Sequence, residues 1–212
     1  ALSVVAIVGI VNAFNLIDGI NGLAGSAGLL ACVFFGCWFV LAEHVEYAVL
    51  AFSLTGALAA FLRYNFAPAR IFMGDTGAML IGAVCAVLAL KFIEINRSIP
   101  PHEVFRFEAG PAIAVAALIL PLFDTLRVIT LRLLQGKSPF HPDRSHIHHF
   151  MLDAGLTHVQ ATSVLVVVST GCLPATVLLH TWGNTSLLVL EITAALLLSY
   201  WLRRKARNRT SR

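Results

Sequence analysis

The sequence predicts an all-α, polytopic integral membrane bundle with about six full crossings and a truncated N-terminal helix. Three observations carry this. Hydrophobic residues make up 58% of the chain, charged residues only 12%, and the mean hydropathy is +0.83. Soluble domains carry about 25% charge. The apolar residues fall in runs of about 16 to 23, close to the ~20 helical residues that cross a bilayer core. Helices are required because lipid offers no partner to an unpaired backbone amide.

In chain order, the apolar run Ala1–Val11 is too short to span. It is read as the end of a truncated helix whose upstream part lies outside this sequence. It lacks the basic segment and small-residue cleavage site of a signal peptide. A polar segment follows, Asn12-Ala13-Phe14-Asn15-Leu16-Ile17-Asp18-Gly19-Ile20-Asn21-Gly22. Spans are then predicted at 22–42, 46–62, 76–93, 109–131, 161–180 and 185–202, with a basic tail at 203–212. Pro121 is expected to kink its helix and free a carbonyl. The chain reads as a single membrane domain over 1–212, with no repeat or low-complexity tract. Cys32, Cys37, Cys85 and Cys172 lie in apolar runs without CxxC pairing and read as small packing residues.

Two spans separate Asp18 from Asp75, and two more separate Asp75 from His146. All three polar segments therefore emerge on one side of the membrane. That side also holds Arg63, Arg70, Arg127, Arg132, Lys137, Arg144 and the basic residues of the tail, whereas the other holds Lys91, Arg97 and Arg106. The excess predicts that the motif side and the C-terminus are cytoplasmic. The net charge of +4 is explained by orientation and lipid headgroups, and no nucleic-acid partner is expected. His44, His102 and His180 fall on the outer side as bystanders.

Chemistry is expected where polarity concentrates. An aspartate near the bilayer core costs about 2.5–3.5 kcal/mol on insertion scales, so Asp18 and Asp75 suggest a site. A helix N-cap is the plain alternative for Asp75. Carboxylates and an Asn carbonyl are hard oxygen ligands that suit Mg²⁺, which makes Asn15, Asp18 and Asp75 the candidate metal residues. Gly19, Gly22, Gly74 and Gly77 permit tight turns and close approach of backbone to a ligand. His146, His148 and His149 allow two chemistries. His146 and His149 could chelate Zn²⁺ at helical i, i+3 spacing, or the imidazoles with Arg144 could donate to a diphosphate. Oxygen-rich partner segments favour the second. Asp124 can pair with Arg127 three residues on or contribute to the site. Glu191, alone in the last span, must turn into the bundle or be protonated.

The segments 12–25 (Asn-Ala-Phe-Asn-Leu-Ile-Asp-Gly-Ile-Asn-Gly-Leu-Ala-Gly), 72–77 (Phe-Met-Gly-Asp-Thr-Gly) and 139–155, which contains Asp143-Arg144-Ser145-His146-Ile147-His148-His149, occur in this order. Together they resemble the C-terminal signature segments of the polyprenyl-phosphate N-acetylhexosamine-1-phosphate transferases. The resemblance covers essentially the whole chain but about the last two thirds of a family member. It implies transfer of a sugar-1-phosphate from a UDP-N-acetylhexosamine to undecaprenyl phosphate, with release of UMP, at the bacterial cytoplasmic membrane. It further implies Mg²⁺, with Mn²⁺ able to replace it. Asp75 would be a metal ligand, with Asn15 and Asp18 lining the metal and nucleotide site. Phe72 would stack on uracil, and His146, His148 and His149 would hold the diphosphate. Asn12, Asn21, Gly74 and Arg144 join the substrate-binding set. Asp143-Arg144 before the histidines resembles the branch that uses UDP-N-acetylglucosamine to initiate surface glycans. The phospho-MurNAc-pentapeptide branch and a non-catalytic fragment retaining the fold are the alternatives. Asn21 stands where many relatives carry a second aspartate. The family's adjacent-aspartate motif belongs upstream of Ala1, so these 212 residues alone are expected to be inactive. A homodimer is the commonest assembly for such a chain.

Overall fold

The computed structural model describes residues 2–66, 68–136, 138 and 146–210, without the side chains of His148, His149, Arg203 and residues 205–210. The described residues form helices and no strand: α1 (Leu2–Ile17), α2 (Leu23–Leu41), α3 (Val45–Asn65), α4 (Gly74–Ser98), α5 (Gly110–Ala117), α6 (Ile119–Leu134), α7 (Ile147–Asp153), α8 (His158–Leu178) and α9 (Asn184–Thr210), with a 3₁₀ turn at His180–Trp182. α2, α3, α4, α8 and residues 184–202 of α9 are each long and apolar enough to cross a membrane. α5 and α6 together supply a sixth crossing if their bent pair is one span. Five of the expected spans are thus recovered with shifted ends, and the one expected at 109–131 is the bent pair. α1 absorbs the first half of the first polar segment, and α9 continues through the basic tail to Thr210.

The predicted span at 109–131 is a broken helix whose halves meet at 85°. The break lies at Leu118, one turn before Pro121. Proline lacks the amide that would bond the carbonyl four residues earlier, and that carbonyl belongs to Ala117, the last residue of α5.

Small residues set the packing. α2 is the most enclosed span, and it buries Ala24, Gly25, Ser26, Ala27, Gly28 and Ala31 on its first turns. A Cβ on Gly28 would lie 2.5 Å from Ile81 of α4, and one on Gly82 would lie 2.7 Å from the backbone of Val11 in α1. Backbones meet this closely only where side chains are absent. At the other end, Phe34, Phe35, Trp38 and Phe92 form a cluster of tilted and edge-on rings.

The two ends are tied differently. At the end away from the motifs Trp38 Nε1 donates to the Phe105 carbonyl at 2.8 Å. Asn96 donates to the Phe107 carbonyl and accepts from the Phe107 amide, both at 2.8 Å. His180, expected to be a bystander, accepts from the Glu108 amide at 3.3 Å and packs edge-on against Phe107. Glu191 turns into the bundle, as its burial requires, where it meets the Thr176 hydroxyl at 2.9 Å. There it edges an apolar cavity of about 220 Å³ between α6, α8 and α9.

Asn96 is buried and satisfies both backbone polar groups of one residue, Phe107. Asn96→Ala leaves the Phe107 amide and carbonyl without these partners. The expected cost is about 2–3 kcal/mol, read as a lowered Tm of the detergent-solubilised protein.

Candidate functional site

The site forms where α1 ends and α4 begins. Asp18 follows the last residue of α1, and the chain turns back into α2 through Gly22, whose φ of 79° is left-handed. Glycine is the residue that adopts this conformation without strain. The second segment enters α4 through Gly74, also left-handed at φ 67°. Asp75 is then the second residue of α4, not its N-cap; Met73 holds that position. The capping role considered for Asp75 is therefore not the one it plays. Its exposed carboxylate faces a cleft of about 270 Å³ lined by Asp18, Gly19, Ile20, Asn21, Asn65, Phe72, Met73, Gly74 and Asp75.

Two carboxylates share this cleft. Burial, and secondarily the Asp75 charge, push the Asp18 carboxyl up to about 6. A site that holds like charges together is incomplete without a counter-charge. Among the described residues no three of His, Cys, Asp or Glu gather in metal-binding fashion. A closed zinc cage is therefore absent there, while the donor set suits a hard cation that keeps several waters. The Asp18 and Asp75 carboxylates fit such an ion, with the Asn21 amide also on the cleft wall. Asn15 lies one turn before Asp18 on α1, and Asn12 a further turn back; neither is in the cleft lining. Phe72 lines the cleft with 79% of its surface exposed, beside two carboxylates.

Asn65 was not singled out from the sequence. At the last position of α3 it accepts from the Gly22 amide at 2.7 Å and donates to the Ile71 carbonyl at 2.8 Å. One buried side chain thus joins both motif loops. The only sequence signal was an amide at the end of an apolar helix, next to the second motif.

The histidine segment reaches the same end of the bundle. The Thr162 hydroxyl of α8 donates to the Asn21 carbonyl at 2.8 Å, which anchors the first turns of α8 on the first loop. His146 is buried, and its Nδ1 lies 2.9 Å from Asp124 Oδ2. His146 is the N-cap of α7 with extended backbone, so His146 and His149 are not a helical i, i+3 pair. His146 is not in the cleft lining. Arg144 lies outside the described residues, as do the side chains of His148 and His149.

Residues 1–93 match the sequence profile of glycosyl transferase family 4. The chain is 33% identical over 200 residues to an undecaprenyl-phosphate alpha-N-acetylglucosaminyl 1-phosphate transferase of Haemophilus influenzae, an alignment that spans 85% of this chain and 54% of the relative. It is 37% identical over 121 residues to a decaprenyl-phosphate N-acetylglucosaminephosphotransferase of Mycolicibacterium smegmatis, covering 56% of this chain and 30% of that protein. A Yersinia pestis protein with the same name as the Haemophilus one is 30% identical over 149 residues, covering 67% and 38%. The chain spans about half the length of these relatives or less.

Because the folded-state value for Asp18 lies above the ordinary carboxylate value of 3.8, folding favours the protonated form. This contribution is complete below about pH 4 and is lost as pH rises through about 6. Without divalent cations, Asp18→Asn is expected to stabilise the protein at pH 7.5 by about 1 kcal/mol, allowing for the partial exposure of Asp18. The gain should vanish below about pH 4 in thermal melts across that range.

Proposed function

Since this chain belongs to glycosyl transferase family 4, we propose that the protein transfers N-acetylglucosamine-1-phosphate from UDP-N-acetylglucosamine to undecaprenyl phosphate, releasing UMP. The observation that carries this reading is the cleft itself, with Asp18 and Asp75 sharing one wall system and the exposed Phe72 ring beside them. A nucleoside diphosphate sugar needs both halves of that arrangement. An aromatic face takes the base by stacking, and the carboxylates take the diphosphate through a shared cation.

Mg²⁺, when bound by Asp18 and Asp75, would neutralise charge on the diphosphate. The protein's own contribution is placement. Phe72 holds the uracil, and Gly74 allows the backbone to approach the nucleotide closely. His146, with Arg144, His148 and His149 joining it, would donate to diphosphate oxygens. A phosphate oxygen of the lipid attacks the sugar-linked phosphorus. A new P–O bond forms, the bond to the α-phosphate oxygen breaks, and the leaving UMP takes the electron pair. Such transfers rest on positioning and charge compensation rather than on covalent chemistry by the protein.

The multi-pass architecture makes this a membrane protein. The proposal places it in the bacterial inner membrane, with the cleft opening to the cytoplasm. The motif end carries most of the basic residues, as cytoplasmic ends do. The product would initiate a lipid-linked surface glycan, and a homodimer is the proposed assembly.

The test is transfer of label from radiolabelled UDP-N-acetylglucosamine to undecaprenyl phosphate by the protein expressed from its complete gene. UDP-N-acetylgalactosamine and the muramyl-pentapeptide nucleotide serve as competitors. Asp75→Ala is expected to abolish transfer while the protein remains folded; near-normal turnover would refute the metal role. Phe72→Ala is expected to weaken UDP-sugar binding by about 1–3 kcal/mol and to leave the KM for the lipid unchanged. Preferential turnover of the muramyl nucleotide would move the protein to the peptidoglycan-precursor branch.

A further inference from the structure

Asp124 is fully buried in α6, and its carboxylate has three hydrogen-bonding neighbours. Arg127 Nη2 and the Ile147 amide both donate to Oδ1 at 2.9 Å. His146 Nδ1 lies 2.9 Å from Oδ2. A helix-internal pair with Arg127 would need only one of these. The other two leave α6 and fall on consecutive residues, the N-cap and the first residue of α7. Arg127 is also fixed from outside, its guanidinium lying 5.2 Å from the centre of the Phe150 ring. The cluster therefore welds the cytoplasmic part of the broken span to the start of the histidine segment.

The chemistry follows from counting donors. An ionised carboxylate only accepts, so a ring nitrogen 2.9 Å from it must carry a proton. Asp124 thereby holds a proton on Nδ1, so the ring can donate to an anion only from Nε2 of its imidazolium form. A carboxylate behind a functional imidazole fixes both ring orientation and tautomer.

We propose that Asp124 is the positioning residue of the histidine segment. One oxygen caps α7 through the Ile147 amide, and the other holds the His146 ring through Nδ1, orienting it for the hydrogen bond that its imidazolium form donates from Nε2 to the sugar-nucleotide diphosphate. This rests on the transferase reading for the identity of the anion, and on the geometry alone for the orientation of the ring.

Asp124→Asn separates these roles. The amide oxygen can keep the Ile147 and Arg127 bonds while the amide nitrogen, a donor, replaces the acceptor opposite Nδ1. The expected result in the protein from the complete gene is a loss on the order of 10- to 100-fold in kcat/KM for UDP-N-acetylglucosamine. The KM for undecaprenyl phosphate should change little; the melting temperature falls because buried Arg127 loses its counter-charge, so turnover is compared at a temperature where the variant is folded. In a His146→Gln background, Asp124→Asn should add less than about 2-fold, because residues acting through one another are not additive. Histidine ¹⁵N spectra, with the His146 signals identified by their absence in His146→Gln, should show Nδ1 protonated in the wild type. That proton should be lost in Asp124→Asn and recovered in Asp124→Glu.

Full activity in Asp124→Asn, additive losses in the double variant, or an unprotonated wild-type Nδ1 would each overturn the proposal. If the wild type transfers no sugar phosphate at all, the transferase reading fails. The ¹⁵N spectra then decide the role of Asp124 alone. They do so from the wild type even if Asp124→Asn does not fold.

Discussion

The cleft exists because α1, α2 and α4 approach closely at glycines near the motif end. Gly82 lets the α4 backbone lie against Val11, and Gly28 makes room for Ile81. These contacts bring the C-terminal end of α1 and the N-terminal end of α4 to one place, and Asp18 and Asp75 with them. In lipid, helix association gains little from hydrophobicity, because the tails are as apolar as leucine. Close packing of small residues is what remains. The repulsion between the two carboxylates is therefore imposed by the scaffold, and an added cation would relieve it.

The two ends of the bundle show different uses of polarity. At the end away from the motifs, Trp38, Asn96 and His180 are spent on backbone groups of the loop between α4 and α5. These groups are closed against one another. At the motif end, Asn65, Thr162 and Asp124 close loops in the same way, but Asp18, Asp75 and Phe72 remain facing a cavity. A polar side chain that is buried and satisfied holds the fold, whereas one left facing a cleft is available for a ligand.

Much of this was legible in the sequence because charge is rare in it. Asp18 and Asp75 stood out against apolar neighbours, and counting spans between them put both on one side. The break before Pro121 was foreseen in kind. Its position at Leu118 follows from which carbonyl the proline leaves unbonded. Asn65 was not found, because an amide at a helix end reads as ordinary interfacial polarity until its two partners are seen. Asp124 remained ambiguous for a related reason. Its i, i+3 partner Arg127 is a local pattern, whereas its bonds to His146 and Ile147 cross more than twenty residues of chain. The connection from Thr162 to Asn21 spans 141 residues, and no local pattern encodes it.

Asn65 has a mechanical consequence. A single amide grips the turn after α1 with its oxygen and the approach to α4 with its nitrogen. The two rims of the cleft are therefore yoked rather than independent. A displacement of one is transmitted to the other unless a bond to this residue is broken, so the aperture keeps its width when either rim shifts.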